Sequence, residues 1–192
     1  MTSRSGSDDP RRDDELVELV NAGDAEAFDV LYRRYRGWVL AVASRFCRDR
    51  DDALEVMQET FIYLLKRFPG FALRSKLTTY LYPIVRNLAM DVARRRQRRA
   101  AADEHLRQQA GEAPPGANPA AQGWMDEDLA RVLEALPQAQ REVVLLRFVD
   151  EMSLSEIAEA MHVPVGTVKS RLHHALRTLR ADPAVRQYFD QD

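Results

Sequence analysis

The residues best suited to binding chemistry lie in "VPVGTVKSRLHHALR", residues 163–177. A proline and a glycine precede hydroxyls and cations at the predicted start of a helix. Hydroxyls and free backbone N–H groups at a helix start bind phosphate oxygens, and an arginine one turn further on can reach guanine in the major groove. The stretch therefore predicts DNA contacts by Thr167, Lys169, Ser170, Arg171, His174 and Arg177.

The elements around this stretch fit a helix-turn-helix. Ser153 and Glu156 have capping-box spacing and open a short apolar helix, which ends before a tight turn. A sharp turn after Met161 predicts a positive φ at His162. An ordinary helical hairpin with a solvated face is the alternative. We favour DNA binding because cap, turn and register agree, with four apolar residues of the second helix directed inward: Val168, Leu172, Leu176 and Leu179.

A second charged cluster lies on the helix predicted from "DDALEVMQETFIYLLKRF", residues 51–68. Its inward stripe contains Leu54, Met57, Phe61, Leu64, Leu65 and Phe68. Like charges on the opposite side repel weakly, which a simply solvated surface tolerates. A surface so uniform in sign also suits a basic protein partner. We call it the acid face; it comprises Asp51, Asp52, Glu55, Gln58 and Glu59.

A third cluster, the arginine face, lies on the following predicted helix. Its members are Arg86, Asn87, Asp91, Arg94, Arg95 and Arg98. Aromatic residues, Tyr80 among them, come just before it. Arginines with aromatics hold a nucleic-acid backbone and stack unpaired bases, although each group alone is also typical of a core or a nonspecific basic tail. Pro83 predicts a distorted helix between about Lys76 and Arg99, because proline removes a backbone donor.

Composition excludes several classes of protein. The chain has 192 residues, of which 30% are charged, and a net charge of −2, so a generally basic nucleic-acid binder is not indicated. The four histidines have no zinc spacing, and no phosphate-cradling loop or nucleophile arrangement occurs, so we expect no enzyme, metal or cofactor. The single cysteine, Cys47, is expected to be a small buried apolar residue. With no signal peptide or membrane-length apolar run, we expect a cytoplasmic protein without membrane insertion.

The apolar periodicity predicts an all-α protein with two small helical domains joined by a flexible linker. Residues 1–12 are predicted to form a disordered tail, and residues 13–99 an N-terminal helical bundle. Residues 100–124 contain clustered Pro and Gly and predict the linker. A C-terminal helix-turn-helix domain is predicted over residues 125–181, with a short tail at 182–192.

Together these stretches resemble the extracytoplasmic-function group of bacterial RNA polymerase sigma factors. "DALEVMQETFIYLLKRF" resembles the family's core-polymerase-binding helix, "YLYPIVRNLAMDVARRRQR" its minus-ten helix, and the chain from "LEALPQAQRE" to "HHALRTLR" its minus-35 domain. The resemblance implies that the acid face binds the polymerase clamp helices. It also implies that Tyr80 and the arginine face meet the melted minus-ten strand, and that the last helix reads minus-35 DNA. The implied partners are core RNA polymerase, promoter DNA and an anti-sigma factor.

The sequence departs from the family pattern at four positions. Tyr80 replaces a tryptophan, Pro83 falls inside the minus-ten helix, His162 takes a position that is usually glycine, and His174 replaces an arginine. These departures bear on promoter preference. A free-standing helix-turn-helix regulator with a helical sensor domain is the alternative. This alternative explains residues 125–180 equally well, but it assigns no function to the acid face or the arginine face.

Overall fold

The computed structural model describes residues 9–110, 133 and 135–181. Within these residues the secondary structure is helical, with seven helices and no strand. The chain forms two compact units, residues 1–121 and 122–192. The prediction of an all-α protein with two helical domains is confirmed. Most of the predicted linker and the C-terminal tail lie outside the described residues.

Four helices build the first unit: α1 (Asp13–Asn21), α2 (Ala25–Ser44), α3 (Arg50–Leu65) and α4 (Leu77–Ala110). Aspartates begin two of them. The Asp24 side chain accepts hydrogen bonds from the first backbone N–H groups of α2, and Asp49 accepts one from the Asp52 N–H of α3. Such caps satisfy donors that have no partner inside the helix. They fix where α2 and α3 start, and so which residues face inward.

The core of the first unit forms around α2, which packs against α1, α3 and α4, while α3 also packs against α4. Leucine and valine dominate it, with one buried tyrosine. Full burial of each such side chain contributes about 1.5–3 kcal/mol. The largest fully buried side chains of this unit are Leu16, Leu31, Val39, Val42, Val56, Leu64, Leu77, Leu81 and Tyr82.

Helix α4 corrects two expectations. The helix is continuous through Pro83. The prediction that Pro83 distorts it is therefore wrong, since the helix is not interrupted there. Proline here removes only the bond to the Thr79 carbonyl, and buried Leu81 and Val85 on either side anchor the helix. The helix also extends to Ala110, so residues 100–110, predicted as linker, are helical.

Residues 9–12, predicted to be part of a disordered tail, are held against α2 by Arg34. Its guanidinium donates to the backbone carbonyls of Asp9 (3.0 Å) and Arg11 (2.9 Å), and pairs with the Asp13 carboxylate at 2.6 Å. These acceptors lie more than twenty residues away in sequence, so local composition gave no sign of the contact. The first unit therefore begins before α1.

The second unit contains α5 (Gln138–Phe148), α6 (Leu154–Met161) and α7 (Val165–Ala181). The predicted capping box is present, with Ser153 and Glu156 bonding each other's backbone N–H groups. His162 ends α6 in the left-handed region at φ 53° and ψ 45°, which confirms the expected positive φ. Leu172 and Leu179 of α7 pack on a core of Leu133, Leu136, Val144, Leu145 and Ala175.

None of the helices in the described part of the chain has the length and apolar character needed to cross a membrane.

We predict that His162→Gly stabilises the helix-turn-helix. The left-handed conformation costs a residue with a Cβ about 1–2 kcal/mol, a cost that glycine avoids. Part of the gain is lost because glycine gives up more conformational entropy on folding. Hydrogen–deuterium exchange of α6 and α7 in the full chain should slow, corresponding to a gain of about 0.5–1 kcal/mol. Glu159→Gly, in the same helix at ordinary dihedrals, is the control and should accelerate exchange. Faster exchange in His162→Gly would contradict the strain argument.

Candidate protein and nucleic-acid interfaces

The acid face of α3 is solvent-accessible as predicted. Asp51, Glu55, Gln58 and Glu59 are exposed, and Asp52 is half-buried. At about 100° per residue these positions share one side of the helix, while Ala53, Val56, Met57, Phe61 and Leu64 are buried on the other.

Two exposed apolar residues that the sequence did not place on this side continue the acid face toward the end of α3. Ile62 is 43% exposed and Leu65 50% exposed. The prediction that Leu65 belongs to the inward stripe is wrong, because Leu64 takes the buried position. The spacing from Gln58 to Ile62 to Leu65, at steps of four and three, is the signal that places them on the same side.

Arginines of α4 pair with part of the acid face. The Arg95 guanidinium lies 3.4 Å from the Glu55 carboxylate, and Arg96 lies 2.6 Å from the Asp52 carboxylate. Arg96 also pairs with Asp49, the cap of α3. An open pocket of about 300 Å³ is lined by Asp52, Glu55, Val92, Arg95, Arg96 and Arg99. Arg96 was not predicted as a functional residue, although it belongs to the arginine run.

The charges around the start of α3 shift two pKa values in opposite directions. Hydrogen bonds from the Asp52 N–H and from Arg96 lower the pKa of Asp49. Burial raises the pKa of Cys47 to about 12, and nearby carboxylates add to the effect. Cys47 is buried, as expected, and its thiol stays protonated at neutral pH.

The arginine face of α4 is brought together as predicted. Asn87, Asp91, Arg94, Arg95 and Arg98 are exposed along one side of the helix. Arg94 pairs with Asp91 at 3.0 Å.

Arg86 is less accessible than the rest of the arginine face. It is half-buried, and its guanidinium lies 6.0 Å from the centre of the Phe46 ring. Arg86 therefore contacts the segment that follows α2.

Aromatic rings form a row beside the start of α4. The Tyr80 ring lies 4.8 Å from Phe71, Phe71 lies 5.4 Å from Phe68, and Phe68 lies 6.3 Å from Phe28. Tyr80 is half-buried, and burial is the main cause that raises its pKa. Tyr82 is 1% exposed and belongs to the core. Tyr80 is thus the aromatic of α4 that packs on the row and still reaches solvent.

Helix α7 turns its polar residues away from the core of the second unit. Val168 and Ala175 are fully buried. At about 100° per residue, Ser170 and Arg177 lie opposite them and Lys169 lies on one flank, whereas Arg171 lies closer to the core on the other side.

The predicted DNA-contacting residues of α7 differ in exposure. Thr167 and Arg171 are half-buried, while Lys169, Ser170, His174 and Arg177 are exposed. Arg177 and His174 are joined by a 3.2 Å hydrogen bond. His173 is also exposed on this side and was missed by the sequence analysis.

Both units match known families. Residues 31–99 match Sigma-70 region 2, and residues 126–179 match Sigma-70 region 4. The second match contains the helix-turn-helix, and the first contains the acid and arginine faces. A free-standing regulator with an unrelated sensor domain does not account for the first match.

Full-length relatives agree. The chain is 30% identical to the ECF RNA polymerase sigma factor SigW of Bacillus subtilis, over 85% of this chain and 92% of that protein. It is 32% identical to the ECF RNA polymerase sigma-E factor of Escherichia coli, over 91% and 97% of the two chains.

Two solved structures share the fold. CnrH, in complex with the cytosolic domain of CnrY, matches with a TM-score of 0.60 and 26% identity, over 92% of this chain and 96% of that one. RpoE of Bartonella quintana, in complex with the anti-sigma factor NepR, matches with a TM-score of 0.57 at 23% identity, over 82% and 92%.

The chain belongs to the ECF RNA polymerase sigma factors. It is an alternative RNA polymerase sigma factor that acts in transcription initiation, as the resemblance implied, and binds core RNA polymerase and promoter DNA.

We predict that Asp49→Asn lowers the stability of the chain only above acidic pH. Asparagine keeps the helix cap but loses the ionic contact with Arg96. Because the folded-state pKa of Asp49 is lowered, its charge stabilises the fold above its unfolded pKa of about 3.9. That stabilisation disappears as the pH falls through the lower folded value. Urea unfolding of both proteins across this range measures the difference, which should be largest near neutrality. A difference independent of pH would contradict the ionic account.

Proposed function

We propose that this sigma factor acts through three separate surfaces, with binding and strand separation but no catalysed bond chemistry, in the cytoplasm. Residues 13–99 would hold polymerase and the minus-ten element, and residues 125–181 would hold the minus-35 element, with the chain after α4 as the connection. The observation that carries the proposal is that each charged face is exposed on a helix whose opposite side is buried.

The acid face of α3 is proposed to bind core polymerase. Three of its four exposed residues, Asp51, Glu55 and Glu59, are acidic and present a single sign of charge to a basic partner, and complementary charge guides association and register. The neighbouring Ile62 and Leu65 add exposed apolar area, which supplies the desolvated centre that a protein interface needs. The combination of an apolar patch and a charged rim fits protein better than DNA.

The arginine face of α4 and Tyr80 are proposed to hold the melted minus-ten strand. Arg94, Arg95 and Arg98 supply cations for phosphates, and Asn87 supplies an amide that can pair with a base edge. Arg86 and Asp91 complete the set from the sequence prediction. Tyr80 packs on Phe71 and still reaches solvent, which supports a role as a stacking surface for an unpaired base.

Helix α7 is proposed to enter the major groove at the minus-35 element. Ser170 and Arg177 lie farthest from the core, His174, Thr167 and Lys169 lie at intermediate positions, and the half-buried Arg171 lies closer to the core. An α-helix fits the major groove, and residues near its start reach base edges. An anti-sigma factor is proposed as a further partner, since RpoE of Bartonella quintana is bound to one.

We predict that reversing two charges on the acid face, Asp51→Lys with Glu59→Lys, weakens binding of core polymerase by at least about tenfold. Both residues are exposed, so the chain should stay folded. Asp52 is less suitable because it pairs with Arg96. Affinity for purified core enzyme is the measurement. Glu18→Lys with Glu26→Lys, exposed acids of α1 and α2, is the control. Equal binding by both double variants would remove the assignment of the acid face.

We predict that Arg171→Ala and Lys169→Ala have different effects on DNA binding. Arg171→Ala should cost about 1–3 kcal/mol on the preferred minus-35 sequence and relax base preference there. Lys169→Ala should weaken all sequences nearly equally and lower the salt slope by about one. Holoenzyme binding across single-base variants at several salt concentrations separates them. A changed base profile in Lys169→Ala with an intact one in Arg171→Ala would reverse the proposed orientation of α7.

A further inference from the structure

The last residue of α1 reaches the loop between α3 and α4. The Asn21 side-chain amide donates to the Phe71 carbonyl at 2.8 Å, and its oxygen accepts from the N–H groups of Gly70 (2.6 Å) and Phe71 (3.1 Å). The contact spans about fifty positions of sequence. One side chain thus provides hydrogen-bond partners for three backbone groups of Gly70 and Phe71, which lie outside any helix.

Asn21 is itself firmly placed. Leu16, Val17 and Val20 bury the inner side of α1, and α1 packs against α2. The chain after Asn21 turns tightly, with the Gly23 N–H bonded to the Val20 carbonyl at 2.9 Å. The carboxamide therefore extends from a fixed helix end.

The loop that Asn21 holds carries an aromatic ring in the core. Phe71 is 9% exposed and lies between the rings of Phe68 and Tyr80. Gly70 has φ +100°, a conformation that residues with a side chain rarely adopt. This conformation sets the direction of the backbone at Phe71. The three hydrogen bonds stabilise this backbone conformation at Gly70 and Phe71. They therefore set the position of the Phe71 ring, on which Tyr80 packs.

We propose that Asn21 is a positioning residue for minus-ten recognition, acting through the Gly70–Phe71 backbone and the Phe71 ring on Tyr80. The proposal rests on the proposed role of Tyr80 in binding the melted strand. Asn21 touches no DNA in this scheme. It also precedes residues 31–99, the part of the chain that matches Sigma-70 region 2, so α1 gains a function beyond packing on α2.

The test uses holoenzyme reconstituted with Asn21→Leu, which has similar size and makes none of the three hydrogen bonds. Open-complex formation is measured on promoters carrying every single-base change in the minus-ten element. We expect a loss of about tenfold on the preferred sequence, the equivalent of one or two net hydrogen bonds, and a flattened base profile. Affinity for core polymerase and base preference at the minus-35 element should be unchanged.

Asp24→Ala is the matched control. Asp24 lies three residues after Asn21 and caps α2 by accepting from the Glu26 and Ala27 N–H groups. Its loss destabilises the same unit through a contact at the start of α2. Equal flattening of the minus-ten profile by Asp24→Ala and Asn21→Leu would show a general effect of stability and overturn the proposal.

Two further variants separate the remaining outcomes. Asn21→Asp loses the donor and places a carboxylate oxygen against the Phe71 carbonyl, so its profile should also be flattened; it serves if the leucine variant folds poorly. Tyr80→Ala tests the underlying function. A flattened profile in Tyr80→Ala with an intact one in both Asn21 variants overturns the positioning role alone. An intact profile in Tyr80→Ala overturns the assignment of Tyr80, and the role of Asn21 with it.

Discussion

The packing of α4 against α2 and α3 determines where the charged residues of the first unit lie. Leu81, Val85 and Ala89 of α4 are fully buried, and a helix that buries one side must present the other to solvent. The side opposite them carries Asn87, Asp91 and the arginines. The same contact brings Arg95 and Arg96 against the start of α3. One apolar interface therefore fixes both the orientation of the arginine face and its ionic contact with the acid face.

The fold was largely predictable because its signals are local. A capping box needs only two residues at the correct spacing, and it formed as predicted at Ser153 and Glu156. The left-handed conformation of His162 also follows from local geometry, since a helix followed by a tight turn requires it. The assignment of helices to two units followed from apolar periodicity for the same reason.

The parts that the sequence analysis missed depend on contacts between distant positions. The Arg96 ion pairs with Asp49 and Asp52 join residues more than forty positions apart. The Arg34 side chain bonds to residues 9–12, and the Asn21 side chain bonds to Phe71. No periodic pattern in the sequence predicts either contact. Proline destabilises an isolated helix, but buried residues lie on either side of Pro83. Their packing keeps α4 helical at this position. The prediction for Leu65 is wrong because Leu65 lies about 100° further around α3 than the buried Leu64, on the side of the exposed Gln58 and Ile62.

The pairing of Arg95 and Arg96 with the acid face has a consequence for how a partner binds there. Glu55 and Asp52 are already compensated by charges of their own chain, so a cationic partner exchanges one set of ion pairs for another. Such an exchange releases little net free energy, because exposed pairs are weak against water. It does free the Arg95 guanidinium on a helix proposed to hold DNA phosphates, whereas Arg96 keeps its pair with Asp49. By thermodynamic reciprocity, a phosphate that takes up Arg95 or Arg96 leaves the carboxylates of α3 more available. Protein and DNA would then compete with the same internal contacts and favour each other's binding, although their surfaces lie on different helices.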